Sequence, residues 1–304
     1  MISHPPHRAT AGAPRSIATL AVLALALALP SQGLAGDRHI LWTVQGKLNT
    51  VYLLGSVHVL RPGDAALPAV AEHAFDDAER LVMEIDMDDA GADPLTMGAE
   101  MMQAALLQEG QTLRAVLGSD YASVNSRTRK VGMDLDDMDA FAPWFVAMSL
   151  LELELTSRGF SPEFGIEQTL TTRAIGKHKP IEGLETAAQQ FEMLASMPLP
   201  QQKRFLLMTL EESAQIDREI AELLRAWQSG DAGMLARLLS EEYEQFPDLY
   251  KRLTVDRNRA WTGRLAALLD DRDDYLVVVG ALHLVGPDSV VDLLRQRGYT
   301  VTQQ

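Results

Sequence analysis

Two short stretches near opposite ends of the chain present the same arrangement of residues. "VYLLGSVHVLRPGD" (51–64) runs from an apolar segment to Gly55, passes two residues, offers His58 and closes in a Pro/Gly turn; "YLVVVGALHLVGPD" (275–288) does the same with Gly280 and His283. A glycine at a strand end lets the chain turn sharply and lets a ligand approach with no Cβ in the way. An imidazole three residues later is spaced to project over the edge of a sheet. Glu84 lies inside the apolar run "LVMEI" (81–85), where an unpaired carboxylate is costly to bury, so it must meet a partner such as a cation. Two imidazoles and a carboxylate with open positions can hold a divalent ion that activates water. A single strand-end histidine is commonly a hydrogen-bonded packing residue. Duplication of the motif, together with Glu84, is what favours a metal site.

Other residues could join this chemistry. "FSPEFGIEQTL" (160–170) contributes Glu163 and Glu167, and "IEGLETAAQQ" (181–190) contributes Glu182 and Glu185 with Thr186 as a helix cap. Glu163 reads as a capping residue. Glu167 and Glu185 suit a further ligand or a general base, although carboxylates in a first helical turn are also placed there by the helix dipole. "DRNRAW" (256–261) offers Arg257, Asn258 and Arg259; an Arg or Asn aimed at the site could polarise a carbonyl or clamp a carboxylate. "DMDDAGAD" (86–93) fails the calcium-loop template, with Ala90 at its fifth position and Met97 at its twelfth. Met97, Met101 and Met102 at helical spacing read as core, not as a copper site. GxSxG, HExxH, phosphate-loop and GxGxxG patterns are absent, which leaves serine hydrolase, zincin, nucleotidase and Rossmann oxidoreductase readings without support.

The elements that must position these residues follow from periodicity. Strand-like runs occur at 40–44, 51–55, 81–85, 180–184, 275–280 and 299–302, the first two forming a hairpin around Gln45–Asn49. Helical patterns cover 68–77, roughly 95–129, 140–156, 163–176, 186–197, 200–227 and 247–269. "DSVVDLLRQRG" (288–298), capped by Asp288 and stopped at Gly298, makes a βαβ-like unit with the last two strands. The expected fold is α/β: one mixed central sheet built from N- and C-terminal segments, with covering helices and a large helical insertion at roughly 95–270, interrupted by the strand near 180–184. Parallel strands under helices bind ligands outside their carboxyl ends, where His58, Glu84, Glu185 and His283 fall.

The 304 residues are 47% hydrophobic, enough for a large core. Residues 1–35 form an expected signal peptide: Arg8 and Arg15 precede the apolar run 17–29, and small residues follow. That run is 13 residues long, short of the roughly 20 that a spanning helix needs. Cleavage is expected near Ala35, giving a periplasmic or secreted domain over 36–304 with no membrane anchor. Without cysteine there are no disulfides, thiolate nucleophiles or Cys-based metal sites. The net charge of −15, more negative still once the leader's arginines are removed, disfavours nucleic acid and anionic membranes and suits a peptide or protein partner.

At these residues the sequence resembles the TraB/GumN family, related to the TIKI metalloproteases that clip the N-terminus of Wnt proteins. "LLGSVHVL", "LVMEIDM", "APWFVAMSL", "FSPEFGIEQTL", "PIEGLETAAQQ", "RNRAW" and "VVVGALHLVGPDSVVDLLRQRGYTV" occur in family order across nearly the whole chain after the leader. The resemblance implies a divalent metal site formed by Gly55/His58, Gly280/His283 and Glu84, with Mn or Co favoured over Zn. Glu167 stands where many bacterial relatives have Asp, and Gln189 stands where an acid precedes the residue matched by Gln190. The expected function is an exported metal-dependent hydrolase, a peptidase, with Glu167 or Glu185 as base or extra ligand and Arg257 or Asn258 at the oxyanion. The alternatives are a non-catalytic periplasmic binding or sequestering protein on the same scaffold and an esterase or lactonase.

Overall fold

The computed structural model describes residues 38–64, 66–85, 94–212, 216–243 and 247–304. The expected signal peptide, its cleavage position and the acidic stretch 86–93 lie outside them.

A six-stranded mixed sheet organises the chain, in the order β4-β3-β5-β2-β1-β6. β1 (Leu41–Gln45) and β2 (Thr50–Ser56) form the expected antiparallel hairpin. β3 (Arg80–Ile85) and β4 (Ile181–Glu185) are parallel to each other, and β5 (Tyr275–Gly280) runs parallel to β3 on one side and β2 on the other. Every residue of β5 is buried, as its unbroken apolar, β-branched run requires of a central strand covered on both faces. β6 (Val301–Gln303) closes the far edge against β1. The sheet is α/β in class, and its central pair, β2 and β5, comes from opposite ends of the chain.

Helix α1 (Ala69–Asp77) carries the chain from β2 over to β3 and buries Ala71, Ala74 and Phe75. Between β3 and β5 the chain is mostly helical: α2 (Pro94–Ala105), α3 (Leu113–Leu117), α4 (Tyr121–Thr128), α5 (Pro143–Ser157), α6 (Ile166–Gly176), then β4, α7 (Ala187–Ala195), α8 (Leu199–Glu212), α9 (Ile216–Gln228), α10 (Ala232–Tyr243), α11 (Pro247–Tyr250) and α12 (Asp256–Leu268). After β5, α13 (Val290–Gln296) leads to β6. The connection from β2 to β3 and that from β5 to β6 leave the central pair in opposite directions. Right-handed crossovers then place α1 and α13 on opposite faces and open a crevice at the strands' carboxyl ends.

The helical region has a core of its own. Leu113, Leu117, Leu135, Val146, Leu150 and Leu206 pack together away from the sheet. The long helical pattern at 95–129 resolves into three helices because Gly110 and Gly118, both at positive φ, interrupt it. The expected helix from 163 begins at Ile166 instead, after a 3-10 turn at Pro162–Phe164 that Ser161 caps. Glu163 therefore caps no α-helix. Asp288 is not the cap of α13 either: it takes φ 54°, and the Ser289 side chain accepts from the Asp292 amide. The last strands do enclose a crossover, but β1 and β2 lie between them in the sheet. Helix α10 was not anticipated from the sequence pattern. Among the described residues no helix is long and apolar enough to cross a membrane.

Candidate functional site

The carboxyl ends of β2, β3, β4 and β5 converge on one edge of the sheet, and the side chains singled out by the sequence meet there. The two glycines of the repeated motif do different work. A Cβ on Gly55 would lie 2.3 Å from Ile40 and 3.0 Å from the Ala281 backbone, so this position is needed for close packing of β2. A Cβ on Gly280 would instead meet His58 Nε2 at 3.2 Å, Glu84 Oε1 at 3.4 Å and the His283 ring at 3.6 Å. Gly280 is thus the floor of a small cradle ringed by two imidazoles and a carboxylate.

Both histidines are held through Nδ1. His58 Nδ1 lies 2.6 Å from Glu167 Oε1, an oxygen that also accepts from the buried Ser56 hydroxyl. Glu167 reaches this place because α6 starts against the His58 backbone, where a Cβ on Gly165 would lie 2.2 Å from the His58 carbonyl oxygen. Its other oxygen, Oε2, is buried without a hydrogen-bond partner. His283 Nδ1 lies 2.7 Å from Asn258 Oδ1, while Asn258 Nδ2 donates to the Asp288 carbonyl. Each ring is left with Nε2 toward the site, a pattern in which an outer acceptor fixes tautomer and orientation for a metal-ligating histidine. Asn258 is fully buried, and its Oδ1 faces His283 while its Nδ2 donates to the Asp288 carbonyl; its place is behind His283.

The cation that Glu84 requires is Arg257. Its Nη2 donates to Glu84 Oε2 at 2.5 Å and to Glu185 Oε1 at 2.6 Å, and its Nη1 donates to the Leu253 carbonyl and to His283 Nε2 at 3.1 Å. Glu84 Oε1 accepts from the Gly280 amide at 2.7 Å. Glu185 also accepts from Arg257 Nε, from Trp261 Nε1 and from Gln190 Nε2, which reaches Glu84 as well. The guanidinium lies over the Trp261 ring, 4.5 Å from its centroid. Because Arg257 has only donors, His283 Nε2 must accept, so its Nδ1 carries the proton and the ring is neutral.

The electrostatics follow this geometry. Burial opposes the charge on Glu84, but His283, Arg257, His58 and the Gly280 amide outweigh it and hold the carboxyl at about 2. With His283 neutral, Arg257 is the permanent countercharge. Burial dominates at His283 and pushes its pKa down to about 4, helped by Arg257 and His58 against the pull of Glu84. His58 shifts the other way: desolvation lowers it, but the charge and hydrogen bond of Glu167, with Glu84, raise it above the usual range. Glu167 is lowered despite its own desolvation, through His58 and Ser56.

The donor types, two imidazoles and a carboxylate, fit a divalent ion in kind, with His58 Nε2, Glu84 Oε1 and the Cδ2 edge of the His283 ring around the space over Gly280 and His283 Nε2 turned to Arg257. Among the described residues, however, no group of three or more His, Asp or Glu side chains is arranged to hold an ion as it stands. The Arg257 guanidinium lies against Glu84 and His283 in this arrangement. A cavity of about 350 Å³ opens beside Arg257, Glu185 and Trp261, between α7 and α12. Gln190, Trp261 and Ser56 went unassigned in the sequence reading of the site. The signal available for Trp261 was its spacing of four from Arg257, one helical turn; nothing local marks Ser56.

A family model described as the TraB/PrgY/gumN family matches residues 40–303. The chain belongs to that family. Among curated relatives of this TraB/PrgY/gumN chain, an uncharacterized protein, YbaP, of Escherichia coli (strain K12) is 26% identical over 264 residues, covering 86% of this chain and 90% of the relative. An uncharacterized protein of Treponema pallidum (strain Nichols) is 25% identical over 284 residues, covering 89% and 84%. Metalloprotease TIKI2 of Xenopus tropicalis is 26% identical over 319 residues, covering 86% of this chain but 59% of that longer protein. No solved structure matches.

Proposed function

We propose that this protein is an exported metal-dependent hydrolase, a peptidase acting on peptide or protein substrates, with His58, Glu84 and His283 as the ligands of a divalent ion. One observation carries the reading: both motif histidines are pinned through Nδ1, by Glu167 and Asn258, which leaves each Nε2 on the inner side of its ring, and both rings stand with Glu84 around Gly280. The similarity to a protein named as a metalloprotease supports it. When bound, a divalent ion would supply an activated water and a Lewis acid for a polarised carbonyl. Glu167 holds the His58 ring through Oε1, and in this reading it acts as base or further ligand from that position. Glu185 holds Arg257, and Arg257 is the positive group nearest the donors, placed to face negative charge developing on substrate.

A second reading has its own observation. Arg257 already pairs with both Glu84 and Glu185, so each carboxylate has a cationic partner without an ion, as a binding or sequestering protein on the same scaffold would need. An ester or lactone substrate would use the same groups, and a substrate panel separates it from a peptide.

The deciding experiment is metal content and titration with Mn, Co and Zn on the chain from Gly36, comparing wild type with His58→Ala and His283→Ala. Near-stoichiometric ion, with Mn or Co preferred, lost in both variants, and peptide cleavage lost with it, is expected. Folded protein that takes up no ion would remove the hydrolase reading and leave the binding protein. Cell fractionation and N-terminal sequencing test export and cleavage near Ala35.

A further inference from the structure

The cavity beside Arg257 has a chemistry of its own. Leu184, Met193, Ala260 and Trp261 give it apolar walls, and Arg257, which also lines it, is the side chain that contacts Glu84 and His283 on the other side. Its volume of about 350 Å³ is at the lower end of the range for small-molecule and side-chain sites. The charges lining it are almost all satisfied internally: Glu185 by Arg257, and Asp256 by Lys251 through both oxygens. Arg252 is the exception. Its Nη1 donates to the Ser196 hydroxyl at 3.2 Å, and among the described residues no carboxylate pairs with it. Gln189 adds a second donor. Its Oε1 accepts from the Thr186 amide in the capping box that starts α7, which leaves the Nε2 group without an acceptor among the described residues.

An apolar slot that presents a guanidinium with no carboxylate partner and an amide N–H with no acceptor among the described residues suits a ligand with an apolar body and an anionic, planar oxygen group. We infer that the cleft between α7 and α12 is a substrate subsite for an apolar residue adjoining a carboxylate, with Arg252 and Gln189 receiving the carboxylate and Met193, Leu184 and Trp261 the apolar part. This rests on the hydrolase reading for its purpose, since the occupant would lie beside the bond presented to His58 and His283. A carboxylate can come from a chain's C-terminus or from an acidic side chain. The acidic surface read from the whole sequence does not oppose this, because the two carboxylates lining the cleft, Glu185 and Asp256, are paired with Arg257 and Lys251.

The test is direct binding by calorimetry in the presence of a chelator, so that no turnover is needed. Three tetrapeptides serve as probes: N-acetylated with a C-terminal leucine and free carboxylate; the same peptide as its amide; and an amide-capped peptide whose sole carboxylate is a glutamate beside leucine. Wild type is expected to bind at least one carboxylate probe about tenfold more tightly than the amide, the order of one charge-assisted contact. Which of the two binds identifies the source. Arg252→Gln and Gln189→Glu should abolish the preference and Arg252→Lys should keep part of it, each with an unchanged circular dichroism spectrum. Equal binding of carboxylate and amide, binding of neither, or a preference that survives Arg252→Gln would overturn the inference. A preference lost in Arg252→Gln stands even if no peptide is cleaved. Cleavage indifferent to Arg252→Gln would remove the subsite and leave the hydrolase reading in place.

Discussion

Replacing Arg257 by methionine tests the charge balance of the site most directly. The side chain is 13% exposed and its partners Glu84 and Glu185 are 10% and 12% exposed, so the substitution strands two buried carboxylates. Breaking a buried ion pair from one side costs about 3–5 kcal/mol. Glu84 keeps the Gly280 amide and Gln190, and Glu185 keeps Gln190 and Trp261, which puts the expected loss near the lower end, about 3 kcal/mol. For a domain of this size that is a fall of about 6–12 °C in Tm. A divalent cation should restore much of it. The guanidinium that competes for Glu84 and His283 is gone, and an ion at a hundredfold over its Kd contributes about 2.7 kcal/mol to the folded state. Thermal unfolding of both proteins, with chelator and with saturating Mn or Co, reads this out: the ion-induced rise in Tm should be larger in Arg257→Met than in wild type. An unchanged Tm in chelator would show that the carboxylates do not depend on Arg257. An ion-induced rise no larger than in wild type would show that guanidinium and ion do not compete.

The two motif glycines should separate in experiment. Gly280→Ala places a methyl about 3.2 Å from His58 Nε2 and 3.4 Å from Glu84 Oε1; ion affinity should fall about tenfold or more while Tm moves little, because contacts of that length need a shift of only a few tenths of an ångström. Gly55→Ala meets Ile40 at 2.3 Å and the Ala281 backbone at 3.0 Å, and should cost about 1–3 kcal/mol in chemical denaturation; the reverse ranking would contradict the roles assigned here. Glu167→Gln keeps the shape but weakens the hold on His58 Nδ1, so ion affinity should drop about 10–100-fold with the fold intact, and titration calorimetry that finds no change would remove Glu167 from the site. Acid stability in chelator carries a signature. His283, held near 4 when folded against 6.5 as the ordinary value, stabilises above 6.5 and its contribution is lost as pH falls from 6.5 to 4, about 3 kcal/mol. Glu84, held near 2 against 4.5, loses its share between 4.5 and 2. His283→Gln should flatten the upper window, and an equal slope in wild type and variant would refute the assignment.

Much of this molecule was legible along the chain. The apolar runs that end in Gly55 and Gly280, and the run around Glu84, are strands because their side chains leave no polar face, and each was placed within two residues. The doubled spacing of glycine and histidine pointed to one site, since two identical strand endings in a parallel sheet come out on the same edge. Helix boundaries were less legible where a single residue decides them: Ser289 caps α13 because Asp288 takes positive φ, and Gly165 delays α6 because the His58 carbonyl leaves no room for a side chain. The partner of Glu84 could not be read locally at all. Burial says that a carboxylate needs a cation, but whether it is an ion or a guanidinium depends on α12, 173 residues away, crossing the end of β3. The same is true of the pairs His58–Glu167 and His283–Asn258, which lie far apart in sequence or on different elements. Residue type and spacing determined which groups could do chemistry. Only the packing of helices α6, α7 and α12 over the sheet edge decided which nitrogen each histidine presents, and which charge faces it.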